Sequence, residues 1–477
     1  MLRAVAAAVA LCTCAVAALA ADVSRPAPAD AVEVKPNIVL IMTDDQTYES
    51  LRYMRQVRRL AASGTTFTNY HANFALCCPS RATTLTGQYA HNHRVWTNED
   101  GYPALAPTAR NTLPVWLHRA GYRTMFVGKY LNGYGYRRYG VPPGWDVWRA
   151  KNNSSEGGVR FHDIDLRHED GKTYHHSGYA TDTLGRVAVE QVVSSPPEQP
   201  FFLWLALNAP HAGGGRDPDD HVGVPVPSTS PKREYRGDFE GVKAPAWGTR
   251  SFDERDVSDK PRHIRRMPRM TPRIRSAVHE AYSQQLEALQ SVDEWVGRLR
   301  QALAEQGQLD NTLIMFTTDN GYYYGEHRIR SGKQTPYTAA SRMPLVVSGP
   351  GFAADVKDSR PRSNVDLAPT IAAAAGAEAG RAMDGRPLTR DVPRGRPILM
   401  EGRIPGRSGS VRYDIRQFTA IRTPNWFFAR YHYVGGGRDS ELYDLRRDPK
   451  MLTSLPGKVD RRASLRSQMV RLAGYRV

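Results

Sequence analysis

Four short apolar runs, each ending in a polar cluster, constrain the fold of this chain more than any other feature. The runs are PNIVLIMTDD, RTMFVGKY, PFFLWLALNAPH and NTLIMFTTDNG, and their polar ends hold Asp45, Lys129, His211 and Asn320. They are rich in Ile, Val, Leu and Phe, and they do not alternate between apolar and polar residues. Such runs are typical of strands that are buried on both faces of a parallel sheet.

Helical patterns lie between these runs. TLPVWLHRAG precedes the run with Lys129, YATDTLGRVAVEQVV precedes the run with His211, and a long stretch that starts AVHEAYSQQLEALQ precedes the run with Asn320. This alternation predicts an α/β fold with a doubly wound, mostly parallel sheet flanked by helices. Ligands of such sheets bind outside the carboxyl ends of the strands. We therefore expect the polar clusters to converge at one edge.

The pattern changes towards the C-terminal end. RPILMEG, FTAIRTPN, WFFARYHYV and SELYDLRRDP predict an antiparallel sheet, and hence a smaller C-terminal α+β subdomain at residues 391–477. The α/β domain is predicted at residues 34–390, with an irregular basic insertion at residues 212–275. The insertion is either a solvated loop or a rim that holds an anionic substrate.

The first twenty residues have the pattern of a secretory signal peptide. Arg3 precedes an alanine-rich apolar run that closes on small residues near Ala20, and the alternative is a membrane anchor. Cleavage would remove Cys12 and Cys14 and leave one adjacent cysteine pair. Neighbouring cysteines rarely bridge each other, so we expect a secreted or extracytoplasmic, bacterial protein without a structural disulfide. No membrane association is expected after cleavage.

The net charge of +17 favours polyanionic partners. Nucleic acid, anionic cell wall and sulfated polysaccharide all satisfy this preference, and charge alone does not choose among them. Solubility accounts for part of the excess.

The polar ends of two runs offer oxygen ligands for a metal ion. Asp44, Asp45, Asp319 and Asn320 supply carboxylate and amide oxygens, which suit Ca²⁺ or Mg²⁺ better than zinc. The alternative is that these residues cap turns and helices. Their position after two buried strands favours the metal.

A motif around the remaining cysteines carries a family resemblance. Cys77-Cys78-Pro79-Ser80-Arg81, followed by Leu-Thr-Gly, resembles the signature of the type I sulfatases, and the resemblance extends from Pro36 to about Leu455. The stretches ALCCPSR, GQYAHNH and GKYLNGYG are most similar to the N-acetylglucosamine-6-sulfatase branch.

The resemblance implies a modified residue at the start of this motif. Cys77 would be oxidised to formylglycine by a formylglycine-generating enzyme, and Cys78 would remain a plain thiol. One hydroxyl of the hydrated aldehyde would attack sulfur, and the other would collapse to the aldehyde and expel sulfate. This is nucleophilic catalysis with regeneration built in.

The resemblance also assigns the other site residues. The Ca²⁺ ligands would be Asp44, Asp45, Asp319, Asn320 and the modified residue 77, with Mg²⁺ as the alternative ion. Arg81 would steady the aldehyde hydrate, Lys129 and Lys333 would hold sulfate oxygens, and His211 would protonate the leaving oxygen.

The chain departs from the family pattern in two places. Leu131 stands where many sulfatases have a histidine, and Asn132, His91 or His93 are the candidates to replace it. Thr338 follows Tyr337 where the family often has glutamate. His327 either lines the substrate pocket or is a solvated loop residue.

These observations predict a secreted, calcium-dependent sulfatase. Its substrate would be a sulfated sugar, such as N-acetylglucosamine 6-sulfate or a glycosaminoglycan, or an aryl sulfate, and nucleic acid is not expected as a partner. One alternative is a phosphodiesterase or phosphonate monoester hydrolase of the same superfamily. The other is a non-catalytic protein that binds sulfated polysaccharide.

Overall fold

A computed structural model describes residues 35–135, 139–151, 159–213, 218, 220–221, 223–408 and 411–475. The predicted signal peptide therefore lies outside the described residues. Among the described residues, no helix combines the length and the apolar character needed to cross a bilayer.

The strands and helices of the described residues alternate over most of the chain. The strands are β1 (Asn37–Thr43), β2 (Gly64–Phe67), β3 (Tyr70–His71), β4 (Arg123–Gly128), β5 (Val147–Lys151), β6 (His162–Arg167), β7 (Thr173–Tyr179), β8 (Phe201–Ala206), β9 (Thr312–Thr318), β10 (Leu345–Ser348), β11 (Val356–Asp358), β12 (Arg362–Ser363), β13 (Ile398–Ile404), β14 (Arg407–Ser408), β15 (Val411–Arg412), β16 (Ile415–Arg422), β17 (Trp426–Tyr433) and β18 (Arg438–Asp444). The helices are α1 (Arg55–Ala62), α2 (Cys77–Thr86), α3 (Ala90–His93), α4 (Gly101–Leu105), α5 (Leu113–Arg119), α6 (Ala180–Val193), α7 (Arg262–Arg265), α8 (Pro272–Glu305), α9 (Thr338–Ser341), α10 (Leu367–Ala374) and α11 (Val459–Ala473).

The central sheet has ten strands in the order β11-β2-β10-β9-β1-β8-β4-β5-β6-β7. The four apolar runs form its middle, β9-β1-β8-β4, and these neighbours are parallel. Antiparallel pairs lie outside this middle, so the complete sheet is mixed. The predicted α/β fold class is confirmed.

The strand β1 shows why the apolar runs do not alternate. Ile38, Leu40 and Met42 pack into a core with α2, α5 and α10. Val39 and Ile41 point the opposite way, into a core with α1, α6 and α8. Both faces of the strand are covered, so every position is apolar.

The predicted C-terminal sheet is the four-stranded antiparallel sheet β13-β16-β17-β18. Helix α11 covers part of one face, where Leu465 and Met469 join Phe428 in a small core. On the other face Phe418 meets Phe74, with ring centroids 5.7 Å apart. Both sheets belong to one compact unit, Lys35–Val477, and a boundary at residue 390 stays a prediction.

Two parts of the fold have weaker sequence signals. The strands β6 and β7 form an antiparallel hairpin at the edge of the sheet, where most of their side chains are exposed or half-buried. Such strands need no apolar run. The described residues of the basic insertion are irregular apart from short helical turns and α7, and α8 already begins at Pro272.

Candidate active site

The carboxyl ends of the central strands bring the predicted site residues together. Thr43 of β1 pairs with Thr318 of β9, so the residues that follow, Asp44 and Asp319, leave the sheet at the same level. On the other side the backbone N–H of Lys129 donates to the carbonyl of Ala206 at 2.8 Å. The sheet register thus produces the convergence that the sequence predicts.

Gly128 allows Lys129 to leave β4 next to β8. Its φ is 118°, and a Cβ there would lie 1.9 Å from the carbonyl oxygen of Ala206. Only glycine tolerates both the conformation and the approach.

The turn after β1 has a defined backbone shape. Asp45 has a positive φ of 68°, a conformation that aspartate adopts more readily than most residues. Gln285 of α8 donates to the Asp45 carbonyl at 3.0 Å, and the Asp45 N–H donates to Asp319 Oδ1 at 3.3 Å. The two Asp45 carboxylate oxygens are left to face the cluster.

Helix α2 carries the cysteine motif, and all its residues are buried. Cys77 is its first residue, so the thiol lies at the positive end of the helix dipole. Arg81 lies one turn later, where its Nε donates to Asp319 Oδ2 at 2.9 Å and its Nη1 donates to the Lys129 carbonyl at 2.6 Å. These bonds hold the guanidinium beneath Cys77.

Two ammonium groups and a carboxylate surround the sulfur of Cys77. The Nζ of Lys333 lies 2.9 Å from Sγ, the Nζ of Lys129 lies 3.6 Å from it, and Asp44 Oδ1 lies 3.4 Å from it. Each lysine also forms an ion pair, Lys129 with Asp44 and Lys333 with Asp45. A small anion bound at residue 77 would therefore meet both ammoniums.

Asn320 and His211 complete the cluster around Asp45. Asn320 Nδ2 donates to Asp45 Oδ1 at 2.6 Å, while Asn320 Oδ1 is buried without a hydrogen-bond partner among the described residues. His211 Nε2 lies 3.5 Å from Asp45 Oδ2. Its Nδ1 lies 2.6 Å from the carbonyl of Ala212, so Nδ1 carries a hydrogen and donates it.

Charge is nearly balanced within the cluster. It contains three carboxylates, from Asp44, Asp45 and Asp319, and three permanent cations, from Arg81, Lys129 and Lys333. Burial alone would raise the pKa of Asp44, but the surrounding cations, Lys129 foremost, hold the pKa far below its ordinary value. Burial and the nearby Asp44 raise the pKa of the Cys77 thiol, so the unmodified sulfur is protonated.

The donor set can hold a metal ion. Ligand atoms of Asp44, Asp45, Cys77 and His211 all lie within 4.8 Å of one another. The unpartnered Oδ1 of Asn320 adds an orphaned buried oxygen of the kind that a cation satisfies. His211 joins this group although the predicted ligand set did not include it. Asp319 is instead engaged by Arg81 and by the Asp45 N–H.

Cys78 lies beside Cys77 but faces another environment. Its Sγ accepts the backbone N–H of Asn132 at 3.2 Å, and the residue is part of the apolar core, as is Leu131. Burial raises the pKa of its thiol to about 11. The side chain at position 131 is thus directed into the core.

The three histidines predicted as substrate contacts have partners away from this cluster. His91 Nδ1 lies 2.8 Å from Glu401 Oε1, His93 Nε2 lies 3.1 Å from Thr83 Oγ1, and His327 Nδ1 lies 2.6 Å from Glu254 Oε2. Burial lowers the pKa of His93 to about 3, so this imidazole is neutral. Their assignment to substrate stays a prediction.

Lys151 is a buried cation that the sequence pattern did not reveal. It ends β5, beside β4, and its Nζ donates to the carbonyl of Arg160 at 2.9 Å. Burial, and then the charge of Lys129, lower its pKa to about 7. Arg149 interrupts the apolar run of β5, so the run itself does not stand out in the sequence. Only the tendency of the other central strands to end in polar residues could have pointed to Lys151.

Comparison with known proteins identifies the family of this chain. The profile of the family described as Sulfatase matches residues 36–377. An extracellular sulfatase SULF-1 homolog of Drosophila melanogaster is 33% identical over 75% of this chain and 31% of its own length. N-acetylglucosamine-6-sulfatase of Homo sapiens is 32% identical over 74% of this chain and 64% of its own length. This chain therefore spans less than two thirds of either relative.

The fold has a solved counterpart. A protein whose structure contains its substrate D-glucosamine-2-N,6-O-disulfate superposes with a TM-score of 0.71 at 24% identity, over 92% of this chain and 98% of its own. That likeness concerns the fold. Together with the family match, the predicted resemblance is confirmed, and the chain belongs to the sulfatase family.

Proposed function

We propose that this protein hydrolyses sulfate esters of sulfated sugars at Cys77 after its conversion to formylglycine, with the aid of a bound Ca²⁺ ion. The observation that carries this proposal is the position of the Cys77 sulfur. It lies at a helix N-terminus between two lysine ammoniums and next to two carboxylates that can hold a cation. Such a setting suits a residue that attacks an anionic ester.

Two groups that the family uses would supply the reactive chemistry. Formylglycine at position 77, once hydrated, supplies a hydroxyl nucleophile and a second hydroxyl that allows the sulfate to leave. Asp44, Asp45, Asn320 and Asp319 or His211 would hold Ca²⁺, which would supply positive charge that lowers the pKa of a nucleophile and draws charge from ester oxygens.

The residues of the chain provide orientation and charge. Lys129 and Lys333 approach residue 77 from two sides, so each can hold one ester oxygen as negative charge develops. Their ion pairs with Asp44 and Asp45 keep both ammoniums protonated and fixed. The bonds of Arg81 to Asp319 and to the Lys129 carbonyl hold α2 against the strand ends.

His211 is placed to exchange a proton at Nε2. Because Nδ1–H is committed to the Ala212 carbonyl, only Nε2 is left to face Asp45 and the substrate. Burial lowers the pKa of His211, and the side chain keeps 24% of its surface exposed. Because the imidazole is partly exposed, Nε2 can take up a proton from solvent, and the imidazolium so formed can pass that proton to the leaving alcohol.

The names of the relatives support a sugar substrate. The human relative is named for N-acetylglucosamine 6-sulfate, and the structural counterpart binds a disulfated glucosamine. We extend that substrate class to this chain. The apolar N-terminal run and the extracellular sulfatase of Drosophila support secretion. A formylglycine-generating enzyme would then act on the chain during maturation.

Two measurements test the function. The mass of the peptide that contains Cys77 distinguishes thiol from aldehyde, and purified protein is then assayed on N-acetylglucosamine 6-sulfate, 4-nitrophenyl sulfate and an aryl phosphate diester. We expect aldehyde and faster release of sulfate than of phosphate. Faster turnover of the diester would favour a phosphodiesterase. Binding of sulfated polysaccharide without release of sulfate from any ester would favour a binding protein.

A further inference from the structure

A second polar cavity lies apart from the cluster around Cys77. Its volume is about 420 Å³, which is within the range of about 300–1,000 Å³ that sites for small molecules occupy. No residue of the cluster around Cys77 lines it. The charged residues of its lining are Glu49, Glu326, Arg342, Arg422 and Lys450, and the cavity is here named the Arg422 cavity.

Thr338 brings two arginines together in the wall of this cavity. It begins α9, and Arg342 follows the last residue of that helix. The backbone N–H of Arg342 donates to the Thr338 carbonyl at 2.8 Å, while Nη1 of Arg422 donates to the Thr338 hydroxyl at 3.2 Å. Two guanidiniums, from the end of α9 and from β16, are therefore neighbours.

The partners of these two guanidiniums are neutral. Arg342 Nε and Nη2 donate to the Thr68 carbonyl at 3.1 Å and 2.9 Å, and the guanidinium carbon lies 3.6 Å from the centre of the Tyr48 ring. Arg422 has the Thr338 hydroxyl. Neither arginine forms a salt bridge with a residue in the part of the chain that the structure describes.

The lack of a carboxylate is costly at this position. Arg81, the buried arginine of α2, pairs with Asp319 at 2.9 Å. At Arg422, burial and then the charge of Arg342 lower the pKa to about 10, because both oppose a guanidinium cation. Burial and the two arginines also hold the pKa of His71 in the same lining well below its ordinary value, so His71 adds no charge. An anion beside Arg342 and Arg422 would offset the cost.

The acidic residues of the lining form a second, separate pair. Neither Glu49 nor Glu326 forms a salt bridge with a described residue, so both lie beyond ion-pair distance of the two arginines. Glu326 Oε2 accepts the backbone N–H of Tyr324 at 2.8 Å. Burial raises the pKa of Glu326, and the nearby Glu49 adds to this effect. The cavity therefore offers guanidinium donors on one part of its wall and carboxylate acceptors on another.

We propose that the Arg422 cavity binds a monosaccharide that carries one oxyanion group, a sulfate, phosphate or carboxylate, seated on Arg342 and Arg422. This goes beyond the proposed function, which concerns residue 77. The planar fork of N–H donors of arginine matches two oxygens of such a group. The sugar hydroxyls donate to Glu49 and Glu326, and these carboxylates repel a second negative charge. The cavity thus selects a small, singly charged sugar rather than a polyanion.

The test compares two arginines of the same strand. Cys77→Ala protein is titrated with N-acetylglucosamine 6-sulfate by calorimetry, so that binding is measured without turnover. Arg422→Gln in this background should weaken one binding event by about tenfold or more, because it removes a charged donor. Arg416→Gln is the matched control, since Arg416 is an exposed arginine of β16, and it should leave every binding event unchanged.

Inorganic sulfate and N-acetylglucosamine test the two halves of the ligand. Each should bind the Arg422 cavity more weakly than the sulfated sugar, because each lacks one set of contacts. Inorganic sulfate that binds as tightly as the sulfated sugar would contradict the role of the two glutamates and would overturn the proposal of a sugar site.

Equal affinities of Arg422→Gln and Arg416→Gln in every binding event would overturn the proposal. If instead the proposed function were wrong, the event at residue 77 would be missing and the event that depends on Arg422 would remain, so the two failures are distinguishable. If Arg422→Gln does not fold, Lys450→Glu carries the test, since Lys450 is an exposed residue of the lining. Lys450→Glu should weaken the same event, and an unchanged affinity would count against the proposal.

Discussion

Two buried carboxylates in this molecule are stabilised in opposite ways. Asp44, at the edge of the central sheet, is surrounded by the cations Lys129 and Arg81, and its pKa is held far below the ordinary value in spite of burial. Glu441, in the C-terminal sheet, has a pKa that burial raises. The Glu441 carboxylate accepts three tyrosine hydroxyls, from Tyr337 at 2.8 Å, Tyr431 at 2.5 Å and Tyr443 at 2.7 Å.

This difference distinguishes the two regions: the tyrosine hydroxyls around Glu441 form a structural anchor, whereas the ion pairs around Asp44 belong to the candidate active site. The three neutral hydroxyls satisfy the Glu441 carboxylate and join β17, β18 and the segment before α9. The cluster around Asp44 instead holds charges whose desolvation is costly, and in the proposed function their partners would be redistributed when the cation and the ester bind. Burial is the same in both regions, and the partners decide the chemistry.

The largest expected effect separates the two adjacent cysteines of the charged region. Cys77→Ala should lower kcat/KM for sulfate release by at least about a thousandfold, because it removes the proposed nucleophile. Cys78→Ala should largely spare activity, since this thiol packs in the core. Initial rates on N-acetylglucosamine 6-sulfate measure both. Comparable losses in the two variants would contradict the assignment of Cys77.

The next effect concerns the anchor. Glu441→Ala should lower the free energy of unfolding by about 3 kcal/mol or more, because three buried hydroxyls lose their acceptor. Glu441→Gln keeps an acceptor and should cost less. Urea unfolding of both variants checks this order, and equal values would show that the hydroxyls find other partners.

Calcium should distinguish the two regions directly. At 100 times its Kd, Ca²⁺ should stabilise the wild type by about 2.7 kcal/mol, and Asp45→Asn should lose most of this gain. Glu441→Gln serves as the control and should keep it. Thermal melts with and without Ca²⁺ after treatment with a chelator measure the effect. An unchanged response of Asp45→Asn would remove Asp45 from the ligand set.

The smallest effect is expected at the pair His91–Glu401, which is intermediate between the charged cluster around Asp44 and the neutral partners of Glu441. The Glu401 carboxylate accepts the hydroxyl of Tyr475 at 2.8 Å and also faces His91, a partner whose charge can change. Burial opposes protonation of His91, but Glu401 outweighs it and raises the pKa. The resulting stabilisation is present below the ordinary pKa of histidine and is lost as pH rises through the raised value.

His91→Gln should therefore destabilise the protein more at about pH 5.5 than at about pH 8.5, by on the order of 1 kcal/mol. Urea unfolding of wild type and variant at both values measures the difference. A difference that is independent of pH would show that the pair acts as a neutral hydrogen bond.

The sequence allowed the central sheet and most of the cluster to be predicted for one reason. Strands buried on both faces must be apolar throughout, so the polar residues that follow, such as Asp44 and Lys129, stand out and share one edge. The hydroxyls around Glu441 could not be predicted in this way, because Tyr337 lies 104 residues before Glu441 in the chain. No local pattern connects Tyr337 with Glu441, and only the packed fold brings them together.

The burial of Cys77 bears on whether its proposed conversion to formylglycine takes place before or after folding. Only 1% of the residue is exposed once α2 is in place, so a modifying enzyme has no access to the thiol of the folded protein. The proposed conversion therefore belongs to the interval between synthesis and folding. A chain that folds first would keep the Cys77 thiol protonated and buried. The active fraction of a preparation would then depend on the rate of Cys77 modification relative to the rate of folding, and not on the stability of the folded protein.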